Sequence, residues 1–282
     1  MNRAVMQTRI VWCLMFAFLL FSGCTSSFQK ASDILEWQKS GKSNHQLDPD
    51  RDLIILCYDH APDKDDGHSA VADRTILQSL YGKSWISKHV MAVSGAYGNN
   101  ANLFNHDSDN VMSAAWNDCG GWLSAHDSRK SSIDQLAKRC IETLNINGNI
   151  WVKEGGQSDI TATIVKSIKE ELPKLDTLKR FHVVQHSDWN ERHTNPAALI
   201  YTKTNTDYLR IPDANPYLKS ETNNEDFVKA ATEHPVFGKI WQAAFKYYNP
   251  NKRLDFSDTG ELMHILNLGQ LNIKQFQTIF LE

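Results

Sequence analysis

Residues 52–58 read "DLIILCY", and residues 59–68, directly after them, read "DHAPDKDDGH". A strand with one solvated face alternates apolar and polar residues, whereas a strand covered on both faces is apolar throughout. The first stretch therefore predicts a central strand buried on both faces. The second brings four carboxylates, Asp59, Asp63, Asp65 and Asp66, into eight residues. Such a cluster resists burial unless a cation offsets it. Carboxylate oxygens are hard ligands, and several aspartates on one loop suit Ca²⁺, which takes six to eight oxygens at roughly 2.3–2.6 Å. Mg²⁺ is the weaker expectation, because it demands stricter geometry and fewer protein ligands. A helix is predicted to begin near Asp66, where its positive end favours anions. A helix cap with solvated surface charge fits the same residues. The D-x-D-x-D-G spacing of an EF-hand is absent.

The pattern repeats along the chain. Residues 68–82, "HSAVADRTILQSLYG", have helical spacing; 89–95, "HVMAVSG", read as a strand; 132–148 read as a helix with Ser131 or Ser132 as its cap. Residues 149–156, "NIWVKEGG", read as a strand, 159–175 as a helix, 180–188, "RFHVVQHSD", as a strand, and 197–202, "AALIYT", as one strand more. From about residue 223 the pattern is helical. Strands alternating with helices predict an α/β fold: a mainly parallel central sheet with helices on both faces and a helical C-terminal third. Ligands of such sheets bind beyond the carboxyl ends of the strands. The first four predicted strands are each followed there by polar residues: "DHAPDKDDGH", "GAYGNN" (95–100), "EGGQSD" (154–159) and "HSDWNERH" (186–193).

Residues 1–24, "MNRAVMQTRIVWCLMFAFLLFSGC", combine Arg3 and Arg9 with an apolar core from Ile10 to Phe21. This is a signal-peptide pattern, too short to span a bilayer as a mature helix. Its ending resembles the lipobox of bacterial lipoproteins, in which the cysteine, here Cys24, is lipidated. Ordinary secretion and a retained anchor are the alternatives. The organisation read is a signal peptide at 1–23, a polar tether at 24–50 with a short helix at 32–40, and one domain at 51–282. Thr25 in place of Asp implies, by that resemblance, the outer membrane and a domain facing the periplasm. A net charge of −3 and a pI near 6.4, with no basic run, argue against a nucleic-acid partner. Of the cysteines after Cys24, Cys57 reads as a buried thiol, and Cys119 and Cys140 can pair in an oxidising compartment. No C-x-x-C spacing points to zinc.

The apolar strand, the acidic loop and the helix after it resemble the opening of nucleoside hydrolases, typically D-x-D-P-G-x-D-D-A. The spacing from Asp59 to Asp66 is closer to the nucleoside-hydrolase-like domains of secreted bacterial proteins. "GNIWVKEGGQSD", "VVQHSDWNER" and "LDFSDTGELMHIL" resemble later family segments in order and type, so the likeness spans roughly residues 52–268. It implies Ca²⁺ held by Asp59, Asp66 and Asp258, with Asp59 also the base for a metal-bound water. It implies that Asp65 orients loop and sugar. Asp59 is not followed by Pro-Gly, and the family's asparagine-bearing sugar segment has no clear counterpart.

Other residues complete the expected site. His186, directly after a strand, is the candidate leaving-group acid. His60, His68 and His193 stand in or beside the same loops. Asn99, Asn190 and Glu191 are candidate partners for sugar hydroxyls, against a plain reading as exposed loop. "NHDSD" (105–109) reads as a polar loop rather than a second acidic site. Trp241, Phe245, Tyr247 and Tyr248 read as core packing rather than a base-stacking wall. No G-x-S-x-G elbow supports a serine hydrolase. Two functions follow: a Ca²⁺-dependent hydrolase of an N-glycosidic bond in a nucleoside or related glycoside, or a non-catalytic sugar- or glycan-binding lipoprotein.

Overall fold

The computed structural model describes residues 46–221, 224–249 and 252–282. The expected signal peptide, the expected lipidation site Cys24 and most of the 24–50 segment, with its expected short helix at 32–40, lie outside them. Strand β1 (Leu53–Tyr58) is buried at every position. Beside it lie β2 (Val90–Ser94), β3 (Trp122–Ser124), β4 (Ile150–Lys153), β5 (Phe181–Gln185) and β6 (Asp207–Arg210), in the order β3-β2-β1-β4-β5-β6. Every pairing is parallel. The α/β expectation holds, and so does the helical C-terminal third: Glu225–Glu233, Gly238–Tyr247, Thr259–Ile265 and Ile273–Phe280 are helices.

Alternation along β1 builds two cores. Leu53, Ile55 and Cys57 pack with Ile133, Leu136 and Cys140 of helix Arg129–Asn145 and with Ile160 and Ile164 of helix Asp159–Glu171. Tyr58, of the other parity, reaches helix Asp66–Tyr81, where its hydroxyl donates to Asp73 Oδ2 at 2.7 Å. At the opposite end, buried Asp52 accepts from the Asn149 backbone at 2.7 Å and from Trp151 Nε1 at 2.8 Å. That joins the entry of β1 to the entry of β4. No helix among the described residues is long and apolar enough to cross a membrane.

Four local expectations change. "AALIYT" lies in a helix, Pro196–Asn205. Asn195 caps it, accepting from the Ala197 and Ala198 backbones, and Pro196 occupies the first turn, where its missing N–H costs nothing. The sixth strand is instead the following "DYLR", paired with β5. The helix predicted to be capped by Ser131 or Ser132 starts earlier, at Arg129, and Ser132 Oγ donates instead to the Ser124 carbonyl. Cys119 and Cys140 are free thiols. Cys119 accepts from the Arg74 guanidinium at 2.7 Å, while Cys140 is sunk in the core against the sheet.

Candidate functional site

The chain runs from β1 outward to β3 and then returns to β4 on the other side of β1. The crevice at such a reversal lies beyond the carboxyl ends of the two central strands. Asp59 is the first residue after β1, and Gly155 and Gly156 follow β4. The Asp59 amide donates to the Gly155 carbonyl at 3.2 Å. Gly155 and Gly156 both have positive φ, 25° and 124°. A Cβ on Gly156 would stand 2.5 Å from Asp59 Oδ2. The glycine lets this loop lie directly on the aspartate, so Gly156→Ala is expected to displace the Asp59 carboxylate and weaken cation binding by about 10-fold or more, with a destabilisation of roughly 1–3 kcal/mol. Calcium titration beside chemical denaturation measures both. An unchanged affinity would show that the Asp59 position does not matter to binding.

The three aspartates assigned to the metal come together here. Asp59, Asp66 and Asp258 line one cleft of about 710 Å³. Asp66 opens its helix, and its carboxyl lies against both Asp59 and Asp258. Asp59 Oδ1 accepts from the Ala61 amide at 3.0 Å, and Asp66 Oδ2 accepts from the His60 amide at 2.6 Å. The remaining oxygens, Asp59 Oδ2 and Asp66 Oδ1, are buried and receive no donor. Burial pushes the Asp59 carboxyl up to about 8 and carries Asp66 and Asp65 well above the usual carboxylate range. For Asp258 burial acts in the same direction, but the hydrogen bond from His186 and the nearby charge of Lys153 hold it low.

His186 follows β5 and lines the cleft. Its Nε2 lies 2.7 Å from Asp258 Oδ1, and its Nδ1, which has no hydrogen-bond partner, lies 3.5 Å from Asp213 Oδ1. Burial opposes the charged ring, yet the bond to Asp258 and the surrounding carboxylates raise it to about 9. Two buried charged groups escaped the sequence reading. Glu261 accepts from the Gly155 amide through Oε2 and from the His186 amide through Oε1, both at 2.8 Å, so one carboxylate joins the ends of β4 and β5. Lys153, the last residue of β4, is fully buried and pairs with Asp73 at 3.3 Å. Both stand in apolar segments that read as plain strand or helix, and the only signal was an acidic residue in the first turn of a helix.

Asp65 and Asn190 line the cleft as expected. Glu191 instead pairs with Lys203 at 2.8 Å and accepts from Tyr208 at 3.0 Å; one helical step beyond Asn190 turns it away. Asn99 lies in the 3-10 turn Gly98–Leu103. His60 is buried beside Tyr247, His68 packs against Phe245 and contacts the Tyr248 carbonyl, and His193 stacks on Trp189 at the rim. In "NHDSD", Asp107 pairs with Lys64. Trp241 and Phe245 are core residues.

Among the described residues no three His, Cys, Asp or Glu side chains already stand in an arrangement that could hold a metal ion. The aspartates lean on one another, and Asp258 is already bonded to His186. The chemistry of the donor set nevertheless fits a hard cation: two residues lining the cleft, Asp59 and Asp66, each carry a buried carboxylate oxygen without a donor, and a third carboxylate, Asp258, lines the same cleft. No protein-family model, no curated protein and no solved structure matches the chain.

Proposed function

We propose that the chain is a Ca²⁺-dependent hydrolase of an N-glycosidic bond in a nucleoside or related glycoside, tethered to the cell envelope by lipid on Cys24. The observation that carries this reading is the meeting of Asp59, Asp66 and Asp258, drawn from opposite ends of the domain, in one cleft at the switch point. Asp59, Asp66 and Asp258 are the residues that would hold the ion, and Mg²⁺ fits less well. When bound, Ca²⁺ would take the sugar's paired hydroxyls as ligands and make neighbouring water more acidic. Asp59, whose Oδ2 has no other donor, would be held ionised by a cation in the cleft and in that form takes the proton of the attacking water. The bond breaks through an oxocarbenium-like sugar, whose positive charge the acidic cleft favours. His186, anchored on Asp258 through Nε2, has Nδ1 available to protonate the leaving base. Asp65 and Asn190 bind sugar hydroxyls from the cleft wall.

Incubation of the purified domain with Ca²⁺ and a panel of ribonucleosides and simple glycosides, with free reducing sugar as the readout, tests the proposal. Binding of sugar and Ca²⁺ with no release from any of them would overturn it in favour of a sugar-binding protein.

Removing the cation is expected to lower the melting temperature, because ligand binding to the native state alone adds stability. Ca²⁺ should restore it better than Mg²⁺. Asp59, raised to about 8, keeps its proton in the folded state where the unfolded chain has lost it. His186, raised to about 9, stays charged where the unfolded ring is neutral. Both contributions fade as pH rises, so between about pH 6.5 and 9 the metal-free protein should melt at steadily lower temperature. The increment due to Ca²⁺ should grow over the same window, since the ion needs ionised carboxylates. Melting curves indifferent to chelator and Ca²⁺ across that window would leave the acidic loop a purely structural feature.

A further inference from the structure

The cleft is not acidic throughout. The loop after β1 lines it with Asp59, Asp65 and Asp66, whereas helix Asp188–His193 after β5 contributes Trp189 and Arg192, and the last position of β6 contributes Arg210. Trp189 and Arg192 stand three apart on their helix and so share a face. The indole is half-buried and lies on the His193 ring, with centroids 3.8 Å and planes 20° apart. Ser187, at φ 73°, accepts from the Trp189 amide at 3.0 Å and fixes the start of the helix. An aromatic ring held in this way on a cleft wall is a stacking platform. Arg192 is exposed and has no ion pair or hydrogen bond among the described residues. Arg210 pairs with Asp188 through one nitrogen of a group that has five N–H donors. Lys219 also lines the cleft, but its ammonium is tied to buried Asp255 at 3.1 Å. Arg210 is in register with Gln185, the residue before His186, and the Ile211 amide donates to the Gln185 carbonyl at 2.9 Å. The end of β6 therefore lies one strand spacing, about 4.8 Å, from the strand that carries His186. His186 Nδ1 lies 3.5 Å from Asp213 Oδ1, in the loop after β6, while Nε2 is bonded to Asp258. The nitrogen assigned to the leaving group thus faces the β6 side of the cleft.

We propose that Trp189, Arg192 and Arg210 form a leaving-group subsite that takes a planar group carrying an oxyanion, of which a carboxylate on an aromatic base is the simplest case. The inference rests on the reading of the cleft as a glycosidase site with His186 as the leaving-group acid, and it names the substrate class: an N-glycoside whose sugar meets the aspartates and whose anionic aromatic leaving group meets the arginines. The indole supplies area for the ring. The guanidinium groups supply paired N–H donors that match a planar oxyanion, and bonds of this charged kind are stronger than neutral ones. Asp188 and Asp213, the acids on this side of the lining, are each already paired, with Arg210 and His186.

Calorimetric titration of the purified full chain, with Ca²⁺ present, is the test. The probes are two pairs of free leaving groups, orotate against uracil and nicotinate against nicotinamide, in which only the first member of each pair carries a carboxylate. The carboxylate member should bind about 10-fold tighter or better. Arg192→Gln should remove most of that preference, and Arg192→Lys should keep part of it, since the charge remains while the planar fork is lost. Trp189→Ala should weaken both members of a pair alike, by about 10-fold, because stacking does not depend on the carboxylate. Melting curves of the same variants show that each is folded; Arg192 is exposed, and its replacement should leave the melting temperature unchanged. Equal affinity for acid and neutral partner, no measurable binding of either acid, or a preference that survives Arg192→Gln overturns the subsite. If uridine is hydrolysed in any of those cases, the hydrolase reading stands without it. If no riboside is hydrolysed but the preference is present and is lost in Arg192→Gln, the hydrolase reading fails and the oxyanion subsite is supported.

Discussion

Asp59→Asn should give protein that folds as wild type does and turns over its substrate about 10²–10⁴-fold more slowly, the usual cost of losing a general base. The substitution is nearly isosteric, and its structural effects can be placed atom by atom. An amide oxygen still accepts from the Ala61 amide, where Oδ1 now accepts at 3.0 Å. The change falls on Oδ2, the oxygen without a donor that lies beneath Gly156. An NH₂ group there can donate to Asp66, which the carboxyl already touches. Without added cation, the variant should therefore melt no lower than wild type, which allows direct comparison in chelator. With Ca²⁺ its stabilisation should shrink, because one hard ligand has become a neutral one. Loss of turnover with an intact or raised melting temperature in chelator separates chemistry from folding. Turnover within a few-fold of wild type would remove Asp59 from the role of base.

Much of this arrangement is legible in the sequence, for reasons that differ between parts. "LIILCY" declares itself because both parities of β1 face helices, so no polar residue interrupts it. The edge strands do not: "WLS" is only half-buried and "DYLR" is partly exposed, so neither carries an apolar signature. "AALIYT" has the composition of a strand, and the Asn-Pro pair before it decides for helix. Asp59 and Asp66 can be linked by their loop alone. Nothing local connects them to Asp258, whose place in the cleft follows from the packing of helix Thr259–Ile265 against the sheet. Lys153 and Glu261 are hardest to see. Each reads as an ordinary charged residue at the end of an element, and only the assembled fold shows both sealed from water. Asn190 and Glu191 looked equivalent as neighbours, yet the helix turns one into the cleft and the other toward Lys203.

Glu261→Ala is expected to cost about 2–6 kcal/mol of folding stability, since it leaves two buried amides, those of Gly155 and His186, without an acceptor at about 1–3 kcal/mol each. Urea denaturation measures this directly. The loss should depend on pH in a definite sense. Burial raises the Glu261 carboxyl to about 7, so the folded state retains a proton that the unfolded chain gives up near its ordinary value of 4.5. Its contribution is therefore largest in acid and declines as pH rises from about 4.5 to 7. The gap between wild type and Glu261→Ala should be wider at the acid end of that range than above it. The same carboxylate holds the two loops on which the cleft depends. Freed at Gly155, the β4 loop can lift from Asp59; freed at His186, the β5 loop can draw its imidazole from Asp258. Glu261→Ala should thus also weaken Ca²⁺ stabilisation, although Glu261 is assigned no place among the ligands. A variant that loses folding stability but keeps its full Ca²⁺ increment would show that the strand ends hold their positions without the clamp.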